Sequence, residues 1–198
     1  MKRKERIKEI LKEIKIRTHP KVYEPREDSF LLARNLIARK GNFVLDVGTG
    51  TGLIAIVAAK LGCKVIATDI NKYALKIAYE NAKLNDVEEM IEFRKSNLFE
   101  NIKERFDLIV FNPPYLPFKA RTILEKSINA GKNCELIHNF LLEAPFYLKK
   151  NGKIQLVVSS LTKLNLDDYK NIKLKKIATE KLFFERLFVL VGTKAGKN

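Results

Sequence analysis

The stretch FVLDVGTGTGLIAIVAAKLGCKVIATDI, residues 43–70, decides the fold because it reads as one complete β–α–β unit. An apolar run at Phe43–Val47 predicts a buried strand, Leu53–Leu61 predicts a helix, and Lys64–Thr68 predicts a second strand. A glycine-rich turn joins the first strand to the helix. Strands connected through a crossover helix run parallel, so this unit predicts an α/β protein.

The same alternation continues on both sides of this unit. Further strands are predicted at Met90–Arg94, Phe106–Phe111, Ile154–Ser159, Ile172–Thr179 and Leu187–Gly192. Further helices are predicted at Lys4–Ile16, Asp28–Arg39, Lys72–Leu84, Glu135–Lys149 (ended by Asn151-Gly152) and Leu161–Tyr169. The last two strands are joined through Glu180–Phe184 with no room for a crossover helix, so they should pair as an antiparallel hairpin. The expected architecture is a seven-stranded, mostly parallel sheet with an antiparallel last strand and helices on both faces.

The chain is long enough for one domain and short for two, at 198 residues. Residues 1–17 form an N-terminal basic amphipathic helix in this prediction, and residues 18–198 form the main domain. Apolar residues make up 46% of the chain, yet no apolar run approaches the roughly 20 residues that a membrane helix needs. Cys63 and Cys134 lie far apart, which argues against a disulfide framework or a zinc site. We expect a cytoplasmic protein, and its Lys, Glu and Ile content is typical of a thermophile.

The net charge of +15 is concentrated at the two ends of the chain. Residues 1–17 carry 8 basic and 3 acidic side chains, and residues 170–198 carry 8 basic and 2 acidic ones. Basic termini of this kind fit contact with RNA. They also fit a small thermostable protein that lysines keep soluble, so the charge leaves both readings open.

The glycines at 48, 50 and 52 alternate directly after the first strand and follow Asp46. Glycine lets a backbone turn tightly and approach a ligand closely at the mouth of a helix. The dinucleotide fingerprint would need a glycine at position 53, which is leucine here. The Asp46 carboxylate would repel a pyrophosphate but attract an ammonium group. The D-x-G-x-G-x-G pattern resembles the S-adenosylmethionine loop, and the alternative is a glycine-rich turn without a ligand.

Asp69 closes the second strand, about 20 residues beyond the glycine loop. A carboxylate at this point can accept hydrogen bonds from both hydroxyls of a ribose. The alternative is a helix cap, because Asp69 and Asn71 both precede a helical run. The spacing from the loop favours the ribose role.

Asn112-Pro113-Pro114-Tyr115 follows the fourth strand and forms a stiff hook in this prediction. Proline lacks a backbone donor and pushes the residue before it into extended geometry. The hook therefore presents an amide side chain, bare carbonyls and an aromatic face. The Asn112 side-chain oxygen and the Pro113 carbonyl can each accept one hydrogen of a planar –NH2 group, while Tyr115 stacks on it. We expect this hook to be the catalytic element.

The block Val22-Tyr-Glu-Pro-Arg-Glu-Asp-Ser-Phe-Leu-Leu32, together with the hook, resembles the HemK-related glutamine methyltransferases of the short archaeal and eukaryotic branch. This resemblance implies a class I methyltransferase fold and S-adenosylmethionine as cofactor. It implies that Ser29 and Asn112 contact the cofactor and that Tyr23–Asp28 cover it. It places the adenine amino group at Asn97, where the family usually has aspartate, with Leu98 beside the ring. The segment Ser127–Glu135 departs from the family pattern, which leaves substrate contacts there open.

The resemblance also implies an acceptor and a partner. The acceptor would be the glutamine of the Gly-Gly-Gln motif of a translation release factor, methylated on N5. The partner would be a small zinc-binding activator subunit. Two other functions stay open: N-methylation of an adenine or guanine amino group in RNA or DNA, which the same hook fits, and a scaffold subunit that binds cofactor without turnover.

Overall fold

Seven strands form one mixed sheet in the computed structural model, which describes residues 2–113, 135–162, 164–165 and 168–195. The strands are β1 Phe43–Val47, β2 Lys64–Asp69, β3 Ile91–Lys95, β4 Phe106–Phe111, β5 Leu148–Ser159, β6 Ile172–Lys181 and β7 Arg186–Lys194. Their order is β3-β2-β1-β4-β5-β7-β6, and β7 is antiparallel to both of its neighbours. The predicted sheet with its antiparallel last strand is confirmed.

Helices cover both faces of this sheet. They are α1 Arg3–Glu13, α2 Glu27–Arg34, α3 Leu53–Lys60, α4 Lys72–Leu84 and α5 Glu135–Glu143, with 3-10 turns at Glu88–Met90 and Ala144–Tyr147. Alternate residues of each strand serve opposite faces: Val44 belongs to the apolar cluster with α1 to α3, whereas Leu45 belongs to the cluster with α5. No helix among the described residues is long and apolar enough to cross a membrane.

Two helices end earlier than the periodicity predicts, because side chains from distant elements take over their backbone groups. Beyond α1, Asn85 binds the backbone N–H and C=O of Lys15 at 3.1 and 2.7 Å, and Asn81 binds those of Arg17 at 2.8 and 2.9 Å. Beyond α2, the buried Gln155 accepts from the Ile37 N–H and donates to the Asn35 C=O. The predicted ends at Ile16 and Arg39 are therefore wrong, although the buried apolar side chains are those expected.

The predicted helix Glu135–Lys149 is also too long, since α5 ends at Glu143 and β5 starts at Leu148 rather than Ile154. Asn151-Gly152 does not end a helix but lies inside β5. There the pairing shifts: Phe106 faces Leu148, whereas Leu108 faces Lys153. A Cβ at Gly152 would lie 2.6 Å from the Phe106 carbonyl oxygen, so glycine is what permits this β-bulge.

The helix predicted at Leu161–Tyr169 is absent from the residues described there. Leu161 and Thr162 form a turn, and both are tied to the end of β5: the Leu161 N–H donates to the Ser159 hydroxyl at 3.0 Å and the Thr162 N–H to the Ser159 carbonyl at 3.0 Å. Serine and threonine side chains compete in this way with helical hydrogen bonds.

Candidate active site

A cavity of about 450 Å³ opens at the carboxyl ends of β1, β2 and β4. In the sheet, β1 has β2 on one side and β4 on the other, so the strand order reverses at β1. Such a switch point is where α/β sheets bind ligands. The cavity wall includes these predicted site residues: Ser29, Asp46, Gly48, Gly50, Asp69, Asn97, Leu98 and Asn112. Gly52 and Pro113 are outside that wall, and Pro114 and Tyr115 lie outside the described residues.

The three loop glycines all have positive φ, of 63° at Gly48, 56° at Gly50 and 85° at Gly52, but they have different surroundings. A Cβ at Gly50 would meet nothing within 4 Å, so this backbone faces the open cavity. A Cβ at Gly52 would lie 3.0 Å from the Ala78 Cβ on α4. Gly50 therefore lines the open cavity, whereas Gly52 is the point where the loop packs on a helix.

Two carboxylates stand beside the loop. Asp46 is 2% exposed and accepts a 2.7 Å hydrogen bond from the Thr49 hydroxyl. Burial raises the pKa of Asp46 to about 7, against the opposing effect of that hydrogen bond. Burial also raises the pKa of Asp69, whose oxygens accept from the Gly50 N–H at 3.0 Å and the Asn71 N–H at 2.8 Å. Raised carboxylate pKa values in a cavity indicate a site that gains from a cationic ligand.

Asp69 is not the cap of α4, which was the alternative to a ribose contact. The cap of α4 is Asn71, whose side-chain oxygen accepts from the Tyr73 N–H at 3.0 Å. Asp69 instead ties the end of β2 to the glycine loop. Its position in the cavity wall fits the predicted ribose contact.

Asn97 and Leu98 form a tight turn on the far wall of the cavity. Leu98 has a φ of +44°, and the buried Ser96 holds the turn by donating to the Leu98 carbonyl at 3.0 Å. The exposed Asn97 donates an amide N–H to the Glu100 carboxylate at 2.9 Å, and its amide oxygen is the acceptor of the same group. This arrangement fits an acceptor for an exocyclic amino group.

Asn112 meets the block that lies more than 80 residues before it in sequence. Its Nδ2 donates to the Asp28 Oδ2 at 3.1 Å and to the Ser29 Oγ at 3.0 Å. Asp28 is 3% exposed and also accepts from the Tyr23 hydroxyl at 3.1 Å and the Ser29 hydroxyl at 3.2 Å. The Asn112 Oδ1 is buried and has no hydrogen-bond partner among the described residues. Buried polar atoms are normally paired, so this oxygen indicates a ligand donor.

Sequence reasoning missed the contact of Asp28 with Asn112. Acids in the first turn of a helix are explained well enough by the helix dipole. One signal could have indicated this contact. Asp28 lies on the same helix face as the apolar Leu31 and Leu32, so it is expected to point inward, unlike the neighbouring acid Glu27. Tyr23 and Ser29, expected near the cofactor from the resemblance, do line the cavity.

These residues fit S-adenosylmethionine. The volume is that of a small-molecule site. Asp46 suits the ammonium of a methionyl group, Asp69 suits ribose hydroxyls, and Asn97 suits the adenine amino group. Together, the sheet order and this cavity define a class I S-adenosylmethionine-dependent methyltransferase.

Comparisons with known proteins identify the family. The family model described as "Methyltransferase small domain" matches residues 13–177. A Methanocaldococcus jannaschii protein, provisionally named protein N5-glutamine methyltransferase, is 46% identical over 187 residues, which are 89% of this chain and 94% of the relative. This chain belongs to the methyltransferase small domain family and, within it, to the HemK-related glutamine methyltransferases.

More distant matches agree. The release factor glutamine methyltransferase of Lactococcus lactis is 30% identical over 162 residues, or 74% of this chain, which spans only 59% of that relative. The crystal structure of a methyltransferase from Pyrococcus furiosus superposes with a TM-score of 0.70 at 25% identity over 98% of both chains. The predicted cofactor and enzyme class are confirmed.

Alanine at Gly50 and at Gly52 should have different consequences. Both glycines have positive φ, so each alanine costs about 1 kcal/mol of backbone strain. At Gly52 the contact with Ala78 adds about 1–3 kcal/mol of overpacking, which urea denaturation will show as a lower free energy of unfolding. At Gly50 the new methyl group enters the cavity, so calorimetry should show cofactor affinity weakened by about tenfold or more. Equal effects of both variants on both quantities would contradict this division.

Proposed function

We propose that this enzyme methylates N5 of the glutamine in the Gly-Gly-Gln motif of a translation release factor. The observation that carries the proposal is the buried Asn112 Oδ1 at the rim of the cofactor cavity, which has no hydrogen-bond partner among the described residues. An acceptor fixed at that point suits an –NH2 group. The names of the M. jannaschii and L. lactis relatives support a glutamine as the bearer of that group.

The mechanism follows from what Asn112 and Pro113 can accept. A carboxamide nitrogen is a poor nucleophile because its lone pair is delocalised into the carbonyl. When the Asn112 Oδ1 accepts one N–H and the Pro113 carbonyl accepts the other, the lone pair is directed into the cavity. Positive charge grows on the nitrogen as it attacks, so these fixed carbonyl dipoles stabilise the transition state more than the substrate. S-adenosylmethionine supplies an electrophilic methyl group on a sulfonium.

Positioning is the second contribution of these residues. Holding two reactants in line can supply about 7–11 kcal/mol at best. Pro113 is buried, and the Asn112 amide is held by Asp28 and Ser29. Stacking of Tyr115 on the substrate amide, and the stiffening role of Pro114, remain predictions.

Four further predictions belong to this proposal. The helix of residues 1–17 acts as part of a single domain with residues 18–198, which the burial of Ile7 and Ile10 in the cluster of α2 and α3 supports. A zinc-binding activator subunit remains a prediction from the resemblance; within the described ranges, no group of three His, Cys, Asp or Glu side chains could hold a metal in this chain itself. RNA contact through the basic termini and a cytoplasmic location also remain predictions. Co-purification of a small subunit tests the predicted activator.

Labelled methyl transfer tests the acceptor directly. With purified release factor, we expect label on the protein, and none when its Gly-Gly-Gln glutamine is changed to asparagine. Total RNA incubated in parallel should stay unlabelled. Label in adenine or guanine of the RNA would establish nucleobase methylation instead, and cofactor binding without turnover on either acceptor would support a scaffold subunit.

A further inference from the structure

We propose that Asp28 is a positioning residue that locks the Asn112 amide in one orientation, so that the site takes an –NH2 group and rejects a carboxylate. The choice of glutamine as the –NH2 bearer rests on the proposed function. The lock itself rests on the contacts of Asp28 and Asn112.

The hydrogens of the Asn112 amide and of the Ser29 hydroxyl each have one assignment. The two hydrogens of the Asn112 amide go to the Asp28 Oδ2 at 3.1 Å and the Ser29 Oγ at 3.0 Å. The single Ser29 hydroxyl hydrogen goes to the Asp28 Oδ1 at 3.2 Å, and the Tyr23 hydroxyl donates to the same oxygen at 3.1 Å. A carboxylate only accepts, so every bond to Asp28 runs toward it, and Ser29, whose own hydrogen goes to Asp28, accepts from Asn112.

The opposite orientation of Asn112 is unfavourable for the same reason. Turning the amide by 180° would put its Oδ1 against the Asp28 Oδ2, about where the nitrogen now lies, at 3.1 Å. Two acceptors would then face each other in a buried place, with Asp28 3% exposed. Asp28 thereby directs the Asn112 oxygen, and not its nitrogen, to the substrate.

This orientation determines which substrate group can bind. Glutamine and glutamate have nearly the same shape but differ in that one carries –NH2 where the other carries a carboxylate oxygen. The Asn112 Oδ1 accepts from the first and repels the second. A site built to pair with a donor discriminates strongly against an analogue that lacks it, because its own polar group is then left unpaired.

The test is Asp28→Asn, assayed with release factor and with release factor whose Gly-Gly-Gln glutamine is changed to glutamate. An amide at position 28 both donates and accepts, so it satisfies either orientation of Asn112. We expect KM for the glutamine acceptor to rise about tenfold and the glutamate form to become a better inhibitor. The ratio of the two affinities should narrow at least tenfold, while cofactor affinity stays within about threefold.

Asp86→Asn is the matched control, because it makes the same Asp-to-Asn change at an exposed residue away from the cavity wall. Its affinity ratio should equal that of the unaltered enzyme. An unchanged ratio in Asp28→Asn overturns the proposal. So does an equal loss of affinity for both acceptors together with a lower Tm, which marks Asp28 as a structural support only.

A second readout needs no acceptor. NMR exchange of the Asn112 side-chain amide hydrogens, assigned with Asn112→Ala, should be at least about tenfold faster in Asp28→Asn than in the unaltered protein. Unchanged exchange overturns the lock. If the unaltered enzyme methylates no glutamine acceptor while the exchange effect is present, the proposed function fails and the lock stands.

Discussion

Asn112→Ala is expected to lower the rate of methyl transfer by about 10³-fold and to change cofactor affinity by less than about threefold. The side chain supplies the buried oxygen that has no partner among the described residues. Its loss removes one of two acceptors that meet the growing positive charge on the substrate nitrogen. Removal of one preorganised hydrogen-bonding group from a site of this kind costs about 10²–10³ in rate. The loss of orientation adds to this figure.

Single-turnover transfer to release factor, with cofactor affinity measured by calorimetry, checks both parts of this expectation. Asn171→Ala is a suitable control, because Asn171 is exposed and lies just before β6, away from the cavity wall. Transfer by Asn112→Ala within tenfold of the unaltered rate would contradict the mechanism. A large loss of cofactor affinity would instead assign Asn112 chiefly to the cofactor, as the resemblance also allows.

Features set by local sequence could be predicted well. The β–α–β unit over residues 43–70 has strands and a helix within one residue of their predicted bounds, because apolar runs and glycines act there through neighbouring residues. The same is true of the carboxylates beside the glycine loop. Asp46 and Asp69 lie near the carboxyl ends of adjacent parallel strands, and these ends necessarily meet at one edge of the sheet.

Features set by side chains from remote elements could not be predicted from local pattern. The amphipathic period of the first helix continues to Ile16, but the helix ends at Glu13. Asn81 in α4 and Asn85 just after it bind the backbone of the residues that follow. The pair Asn151-Gly152 is typical of a turn, yet it lies inside β5, where Gly152 permits the bulge opposite β4. Both cases show long-range hydrogen bonding and packing overriding a local preference.

The site shows the same division. Glycine spacing and the proline hook indicated a methyl donor and an –NH2 acceptor, whereas the link between them, from Asp28 to Asn112, spans most of the domain's first half. A single sequence offers no periodicity that joins two such positions. Only the fold, which brings the start of α2 to the end of β4, makes the pair visible.

Asp46→Asn is expected to weaken cofactor binding about 100-fold or more at pH 8 and, at the same time, to raise the stability of the free protein. The carboxylate that suits the ligand's ammonium is costly without it, because burial raises its pKa from 3.8 to about 7. The folded protein therefore holds a proton that the unfolded chain releases between about pH 4 and pH 7. Stability from this group is present below pH 4 and is lost as pH rises to 7.

The asparagine variant lacks this loss, so its free energy of unfolding at pH 8 should exceed that of the unaltered protein by on the order of 1–3 kcal/mol. Denaturation at pH 8 and at about pH 4 checks the sign, since the difference should shrink at the lower pH. Asp86→Asn is the control: Asp86 is exposed, and asparagine tolerates its φ of 56° equally well. A less stable Asp46→Asn at pH 8 would mean that the carboxylate is satisfied without a ligand.

Cofactor affinity in the unaltered enzyme should depend on pH through the same group. Below pH 7, Asp46 must lose its proton before it can hold an ammonium, so affinity should rise about tenfold per pH unit up to 7 and then level off. Asp46→Asn should remove the part of that dependence that is due to Asp46 and leave the part due to Asp69, whose pKa burial also raises. Calorimetry between about pH 5.5 and pH 8.5 measures both profiles. A flat profile in the unaltered enzyme would show that the ligand's cation is held elsewhere. The Asp46 carboxylate would then lower the stability of the free protein without strengthening cofactor binding.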